Sequence, residues 1–153
     1  MDSSSKSSYQ LDELMPLIRE QLAAGRTVRF SPRGTSMLPM IRQGIDSVVL
    51  SPLPERLKKY DLPLYQRDNG QYVLHRIVKA GQTYTCIGDN QFEEEMGLRD
   101  AQMIAVVTAF DRNGQNHSVT ELSYRAYCRF WHCSRPVRLF WRRGSGWLRR
   151  QIK

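Results

Sequence analysis

Short apolar runs separated by turn-forming residues dominate the middle of this sequence. Six runs rich in β-branched and aromatic residues follow one another, namely Thr27–Phe30, Ser47–Leu50, Leu62–Gln66, Tyr72–Lys79, Thr83–Ile87 and Met103–Phe110. Asp68-Asn69-Gly70, Ala80-Gly81-Gln82 and Asn113-Gly114 lie between or after these runs and are typical of tight turns. Helical segments do not alternate with the runs as βαβ units require. We therefore predict a mainly β fold of irregular, antiparallel, coiled sheets.

A helix is predicted before the first β run. Apolar residues recur there at helical spacing, namely Leu11, Leu14, Met15, Ile18 and Leu22. Ser8 can cap this helix and Gly25 can end it. We therefore place the helix at Tyr9–Ala24 and expect it to pack on the core.

The length and composition fit one folded domain with appendages. The chain has 153 residues, of which 41% are hydrophobic and 25% charged, which argues against wholesale disorder. We divide it into a disordered N-terminus (1–8), the N-terminal helix (9–26), a β-rich domain (27–120) and a basic aromatic tail (121–153). No apolar run approaches the roughly 20 residues that cross a bilayer, and the first residues lack a secretory signal. We therefore expect a cytoplasmic protein.

The positive charge is confined to the tail. The whole chain has a formal net charge of +8, but residues 125–153 contain nine Lys or Arg and no Asp or Glu. All three tryptophans, Trp131, Trp141 and Trp147, lie in this same segment. Tryptophan and arginine together are typical of a membrane–water interface. Because the remainder of the chain is nearly neutral, we expect no specific nucleic-acid partner.

The tail itself is predicted to be helical. Tyr124, Tyr127, Cys128 and Trp131 share one helical face, with Pro136 expected to end that helix. A second helix is predicted over 137–143, closed by Gly144-Ser145-Gly146. Two alternatives stay open for the apolar stripe. It either folds back on the domain, or it docks on anionic lipid or an acidic partner, with the protein then peripheral at the inner membrane surface.

The cysteines do not indicate a disulfide framework. Cys86, Cys128 and Cys133 are an odd number without paired spacing, so we expect reduced thiols. Cys128, His132 and Cys133 could supply half of a zinc site, but a fourth ligand has no obvious source. We therefore expect neither a metal nor a cofactor.

A serine and a histidine are the candidates for chemistry. A nucleophilic serine needs a bent backbone, nearby N–H groups for an oxyanion and a base. Ser36 lies in such a turn, where Gly34 permits close backbone approach, Pro39 stiffens the far side and Met37 can line an apolar wall. His75, in an apolar β run, is the candidate base. Each feature alone is weak, since a lone strand histidine and a Gly-x-Ser turn are usually structural.

In order and spacing, three segments resemble the signal peptidase I and LexA-like serine peptidase superfamily. Gly34-Thr35-Ser36-Met37-Leu38-Pro39, followed by Gly44, is similar to the nucleophile box of that group. Leu74-His75-Arg76-Ile77-Val78 stands where the endoplasmic-reticulum-type members carry their histidine base; bacterial-type and LexA-type members place a lysine there. Gly88-Asp89-Asn90-Gln91 and Met96-Gly97-Leu98 resemble the third box and the segment that closes it. The resemblance covers residues 27 to about 110.

The resemblance implies the peptidase fold of this group and a serine endopeptidase. Ser36 corresponds to the nucleophile and His75 to the general base. The orienting acid falls on Glu95, where the family has aspartate, and Asp89 is the alternative orienter. Gly34 replaces a serine that often helps to hold the oxyanion, which leaves the N–H of Ser36 and the hydroxyl of Thr35, in a loop that also contains Met37 and Pro39.

The implied substrate is a peptide or a protein leader with small side chains next to the cut. The absence of the membrane anchor that signal peptidases use favours a cytoplasmic peptide precursor. Two other functions remain open: an inactive peptide-binding module of the same fold, and a LexA-like self-cleaving regulator. The regulator is disfavoured because only one helix is predicted before the first β run, too little for a helix-turn-helix.

Overall fold

The structure, a computed structural model, describes residues 11–150, with side chains for residues 11–144. The predicted disordered segment 1–8, the cap Ser8 and the predicted helix start at Tyr9 lie outside the described residues. Residues 151–153 of the predicted tail also lie outside them.

Three helices and nine strands make up the described chain. In chain order they are α1 (Leu11–Ala23), β1 (Val28–Phe30), β2 (Ser47–Ser51), β3 (Pro63–Gln66), β4 (Tyr72–Leu74), β5 (Arg76–Ala80), β6 (Tyr84–Ile87), β7 (Glu95–Leu98), β8 (Met103–Arg112), β9 (Gln115–Ser118), α2 (Leu122–Cys133) and α3 (Arg135–Arg150). A single 3₁₀ turn, Asp100–Gln102, precedes β8.

The strands form two antiparallel sheets. The larger sheet has the order β1-β2-β8-β3-β4, with β9 also pairing with β8, and the smaller sheet has the order β5-β6-β7. The pairing register shifts between Val49 and Leu50 in β2 and between Leu64 and Tyr65 in β3, as β-bulges do. The prediction of a mainly β, antiparallel and irregular architecture with helices at both ends is confirmed.

The two faces of the larger sheet bury different clusters. Because strand side chains alternate between faces, Leu64 packs with one cluster and its neighbour Tyr65 with the other. The first cluster contains Met15, Ile18 and Leu22 of α1 together with Tyr124 and Cys128 of α2. The second cluster joins the larger sheet to Ile77, Tyr84, Cys86 and Leu98 of the smaller sheet. The fold is therefore layered, with helices on one face and the smaller sheet on the other.

α1 follows the predicted pattern. Met15, Ile18 and Leu22 are buried, as their helical spacing predicts. Gly25 adopts φ +74, and the bonds from its N–H to the Leu22 carbonyl and from Arg26 N–H to the Gln21 carbonyl close a Schellman motif. The predicted stop at Gly25 is confirmed.

The prediction of one strand over Tyr72–Lys79 is wrong. The chain breaks at His75, so that β4 pairs with β3 in the larger sheet and β5 pairs with β6 in the smaller one. Apolar residues stand on both sides of His75 and Arg76 because both halves pack into the interior, so the sequence pattern did not reveal the break. β7 and β9 were also not predicted, since Glu95–Leu98 and Gln115–Ser118 lack β-branched residues.

The predicted division of the tail is wrong in its boundaries. The first helix ends at Cys133, and Pro136 lies in the first turn of α3, where the missing N–H of proline leaves no hydrogen bond unmade. Gly144 does not end the second helix, which continues to Arg150. For α2, the alternative that folds back on the domain is the one observed, because Tyr124 and Cys128 are buried in the first cluster.

No membrane-spanning helix is found between residues 11 and 150. None of the three helices in that range combines the length and the apolar character that crossing a bilayer requires.

Candidate active site

The loop that carries Ser36 is fixed by its flanking residues. Gly34 has φ +89, a conformation that side-chain-bearing residues rarely adopt, and its N–H donates to Gln43 Oε1 at 2.8 Å. Met37 is buried in the first core cluster and therefore anchors the loop instead of lining an open apolar wall. Pro39 follows a cis peptide bond and is exposed, as is Thr35.

The backbone of Ser36 rests on the loop after β6. Its carbonyl accepts the Asn90 N–H at 2.8 Å, while Asn90 Nδ2 donates to the Thr35 carbonyl at 3.1 Å. A Cβ atom at Gly88 would lie 2.6 Å from the Ser36 carbonyl oxygen, so only glycine permits this approach. The first and third predicted boxes are therefore in direct contact.

His75 lies at the same end of the smaller sheet. It precedes Arg76, which pairs with Ile87, and Ile87 precedes Gly88. His75 and Gly88 thus flank the last pair of the ladder, and Gly88 contacts Ser36. The structure therefore links the predicted nucleophile and the predicted base indirectly, through Gly88, although they are distant in the sequence.

The Nδ1 side of His75 faces Tyr65 and Glu95. Tyr65 Oη lies 3.3 Å from His75 Nδ1 and donates to Glu95 Oε1 at 3.0 Å, and Glu95 Oε1 lies 3.4 Å from Nδ1. Arg67 binds both oxygens of Glu95, with Nε at 2.9 Å from Oε2 and Nη2 on Oε1. Glu95, the residue predicted as the orienting acid, therefore lies beside His75, the predicted base.

This network assigns the imidazole tautomer. The single hydrogen of the Tyr65 hydroxyl is directed to Glu95, so the Tyr65 oxygen is an acceptor toward Nδ1. With an ionised Glu95 as the other neighbour, Nδ1 faces acceptors and carries the proton. The lone pair is then on Nε2, which is the arrangement a general base needs.

Burial sets the charge state of His75, and hydrogen bonds set that of Glu95. His75 is only 3% exposed, and desolvation lowers its pKa to about 4 against the opposing effect of Glu95, so the ring is neutral at pH 7. Burial also opposes ionisation of Glu95, but hydrogen bonds from Arg67 and Tyr65 outweigh it and hold the pKa of Glu95 below its usual range. A neutral base thus faces an ionised carboxylate.

The Ser36 hydroxyl and His75 do not form a hydrogen bond in this structure. Among residues 11–144, the one buried side-chain nitrogen or oxygen without a hydrogen-bond partner is His132 Nδ1. His75 Nε2, which also makes no hydrogen bond there, is therefore still in contact with solvent. Nε2 is thus the ring nitrogen that has no protein partner, on a side chain that is only 3% exposed.

Asp89, the alternative orienter, is committed elsewhere. Arg76 donates to both of its carboxylate oxygens at 2.8 Å, and the Tyr127 hydroxyl donates to Oδ2 at 2.9 Å. The Trp131 indole N–H donates to the Asp89 carbonyl at 2.7 Å. Asp89 and Arg76 are both buried, so this ion pair joins the Gly88–Asn90 loop to α2. No hydrogen bond links Asp89 to His75 within the described chain.

Three participants were not predicted from the sequence. Tyr65 and Arg67 are two residues apart in extended chain, so their side chains lie on the same face. That spacing indicates that they share a partner, but it does not identify His75 and Glu95 as the partners. Arg76 was noted only as the neighbour of His75, although an arginine inside an apolar run already indicates a buried partner of opposite charge.

Comparison of the chain with family models, with curated proteins and with solved structures yields no match.

Proposed function

We propose that this chain is a serine endopeptidase of the signal-peptidase and LexA-like type, with Ser36 as nucleophile, His75 as general base and Glu95 as the group that orients the base. The two bulged antiparallel sheets joined at His75 are the architecture expected for that peptidase fold. The substrate is a peptide or a protein leader in extended conformation.

One observation carries the proposal. A buried, neutral histidine holds its Nδ1 proton against a tyrosine and an ionised glutamate and leaves Nε2 unbonded, and Gly88 beside it contacts the backbone of Ser36. A general base needs a ring nitrogen with a free lone pair, and Nε2 makes no hydrogen bond to the protein. The vacant Nε2 next to the Ser36 loop favours a proton-accepting role.

The chemistry follows from these positions. On substrate binding, the Ser36 hydroxyl rotates to His75 Nε2 and gives up its proton as Oγ attacks the scissile carbonyl carbon. The oxyanion is held by the Ser36 N–H and the Thr35 hydroxyl in the loop that Gly34 bends and Met37 anchors. The imidazolium then passes its proton to the leaving amine, and a water activated by the same nitrogen releases the acyl-enzyme.

The negative charge of Glu95 stabilises the imidazolium that forms when His75 accepts a proton. The imidazolium forms in a site that otherwise disfavours it, as the low pKa of His75 shows. An ionised carboxylate 3.4 Å from Nδ1 stabilises that transient charge. Arg67 holds this carboxylate in place through two of its nitrogens.

Replacement of the nucleophile tests the assignment. We expect Ser36→Ala to reduce cleavage of a peptide library, read by mass spectrometry, by about 10⁴-fold or more, while the protein stays folded. Ser31→Ala, which changes an exposed serine at the start of the same loop, is the matched control and keeps full activity. Unchanged cleavage by Ser36→Ala would refute the assignment.

An inactive peptide-binding module of the same fold is the second candidate, and the unformed bond between Ser36 and His75 is the observation that favours it. A fluorophosphonate probe, which phosphonylates activated serines with loss of fluoride, separates the two functions. A peptidase is labelled at Ser36 and loses the label in His75→Gln, whereas a binding module is not labelled in either form.

A further inference from the structure

We propose that α3 docks its apolar face on an anionic lipid surface and so holds this protein at a membrane. Such docking does not depend on the peptidase chemistry, and it follows from the exposure, the orientation and the charge of α3.

The apolar face of α3 is exposed. Val137 is 58% exposed, Phe140 77% and Trp141 73%. Their spacing of three and four residues places them on one side of the helix. Three large apolar side chains together in water are unusual on a protein surface and mark a site of interaction.

The opposite face of α3 contacts the body of the protein. Arg135 pairs with Glu94 at 2.7 Å, and the Arg138 guanidinium lies 3.7 Å from the centre of the Trp131 ring. Arg142 lies 5.1 Å from the centre of the Phe92 ring. Arg135, Arg138 and Arg142 are spaced on the other side of the helix from Phe140. The helix is therefore held against the domain by its arginines, with its apolar side directed outward.

The surrounding charge selects the surface. Residues 125–153 contain nine Lys or Arg and no Asp or Glu, and Arg129 and Arg143 are exposed. Arginines beside exposed phenylalanine and tryptophan match the boundary between acyl chains and anionic headgroups, where the rings enter the apolar layer and the guanidinium groups bind phosphate.

A second copy of the chain fits this face poorly. Pairing two α3 helices would bring two segments of nine cations each together with no acidic residue of either segment between them. A helix of 16 residues spans about 24 Å and carries six arginines, so it suits the interface better than the bilayer interior.

Vesicle co-sedimentation tests the proposal. The full chain is mixed with vesicles of phosphatidylcholine alone and with vesicles of equal parts phosphatidylcholine and phosphatidylglycerol. We expect binding to the mixed vesicles only, and weaker binding at higher salt because screening reduces the attraction. Phe140→Ser combined with Trp141→Ser should weaken that binding by about tenfold or more, since two buried rings are lost.

Matched variants separate this face from general hydrophobicity. Ile45→Ser removes an apolar side chain that is 69% exposed but lies outside the tail, and it should leave vesicle binding unchanged. Ser36→Ala should also bind like the unaltered protein, so failure of the peptidase assignment and failure of lipid docking are distinguishable. Circular dichroism establishes that each variant is folded.

Three outcomes overturn the proposal. The first is absence of binding to the mixed vesicles, and the second is equal binding to both vesicle types. The third is a dimer in lipid-free ultracentrifugation that the Phe140→Ser, Trp141→Ser variant abolishes, which would assign the face to a second copy.

Discussion

Two carboxylates that the sequence left as alternatives have different surroundings in the structure. Glu95 contacts the imidazole side of the site through Tyr65 and lies 3.4 Å from His75 Nδ1. Both carboxylate oxygens of Asp89 accept hydrogen bonds from Arg76, and one of them also accepts from Tyr127. The Glu95 side chain extends from β7 to His75 and accepts the hydroxyl hydrogen of Tyr65 on the same oxygen. In the proposed mechanism Glu95 is a positioning residue, and Asp89 has a structural role.

Neutralising Glu95 should impair turnover more than stability. We expect Glu95→Gln to lower kcat by about 10²-fold or more, because the imidazolium loses its countercharge and the Nδ1 tautomer is no longer enforced. Removing the carboxylate also lowers the pKa of His75 further, so the acid limb of kcat/KM should move to lower pH. Steady-state peptide cleavage across pH measures both effects.

Glu93→Gln is the control for that variant, since Glu93 is exposed two residues earlier on the same segment. It should retain the kcat and the pH profile of the unaltered chain, and Glu95→Asp should recover part of the lost rate. If Glu95→Gln kept full turnover, the orienting role would be excluded.

At the scale of elements, the buried Arg76–Asp89 ion pair attaches α2 to the β-rich part of the protein. Arg76 also donates to the Tyr124 hydroxyl at 2.8 Å and to Cys128 Sγ at 3.0 Å, so one guanidinium joins β5, the Gly88–Asn90 loop and α2. The sequence predicted the apolar stripe of α2 correctly but left its partner open. The apolar stripe predicts that this face of α2 is buried, but it does not predict that Arg76 lies against that face.

Breaking that pair should destabilise the protein strongly. Asp89→Asn leaves the Arg76 charge buried without a counter-ion, and we expect the free energy of unfolding to fall by about 3–5 kcal/mol. Denaturant unfolding measures the loss.

Asp68→Asn is the matched control, because Asp68 pairs with Arg99 at 2.6 Å on the open surface. A solvated pair contributes about 0–1 kcal/mol, so this variant should unfold almost like the unaltered chain. Equal effects of the two substitutions would contradict the structural role of Asp89.

Across the whole molecule, local patterns predicted the elements better than their grouping. Most of the β runs, the turn residues and α1 follow from spacing and turn chemistry, and Gly70, Asn113 and Gly114 adopt the positive φ that such turns need. The division into two sheets did not follow, because apolar residues stand on both sides of the break at His75. Contacts between distant segments, such as Ser36 with Gly88, depend on the three-dimensional fold.

Because folded His75 is neutral, the free energy of unfolding of the whole chain should decrease at acidic pH. The pKa of His75 is about 4 in the folded protein and about 6.5 in the unfolded chain. The unfolded chain therefore binds the proton first as the pH falls, so the free energy of unfolding is highest above pH 6.5 and decreases toward pH 4. The loss amounts to about 3 kcal/mol. We expect urea unfolding of the unaltered chain to show this decline.

His75→Gln should show a shallower decline over the same interval, because the titrating ring is gone. Some slope remains, since burial also lowers the pKa of His132. Parallel pH dependence in the two proteins would mean that His75 does not titrate as a buried neutral ring.

His75 also belongs to neither sheet while touching both. Tyr65 contacts it from the larger sheet and Glu95 from the smaller one. The surroundings of the imidazole therefore depend on how the two sheets are aligned. A small slip of one half against the other would separate the acceptors from Nδ1 before any strand came apart. Activity should therefore disappear ahead of secondary structure as the chain is loosened by denaturant.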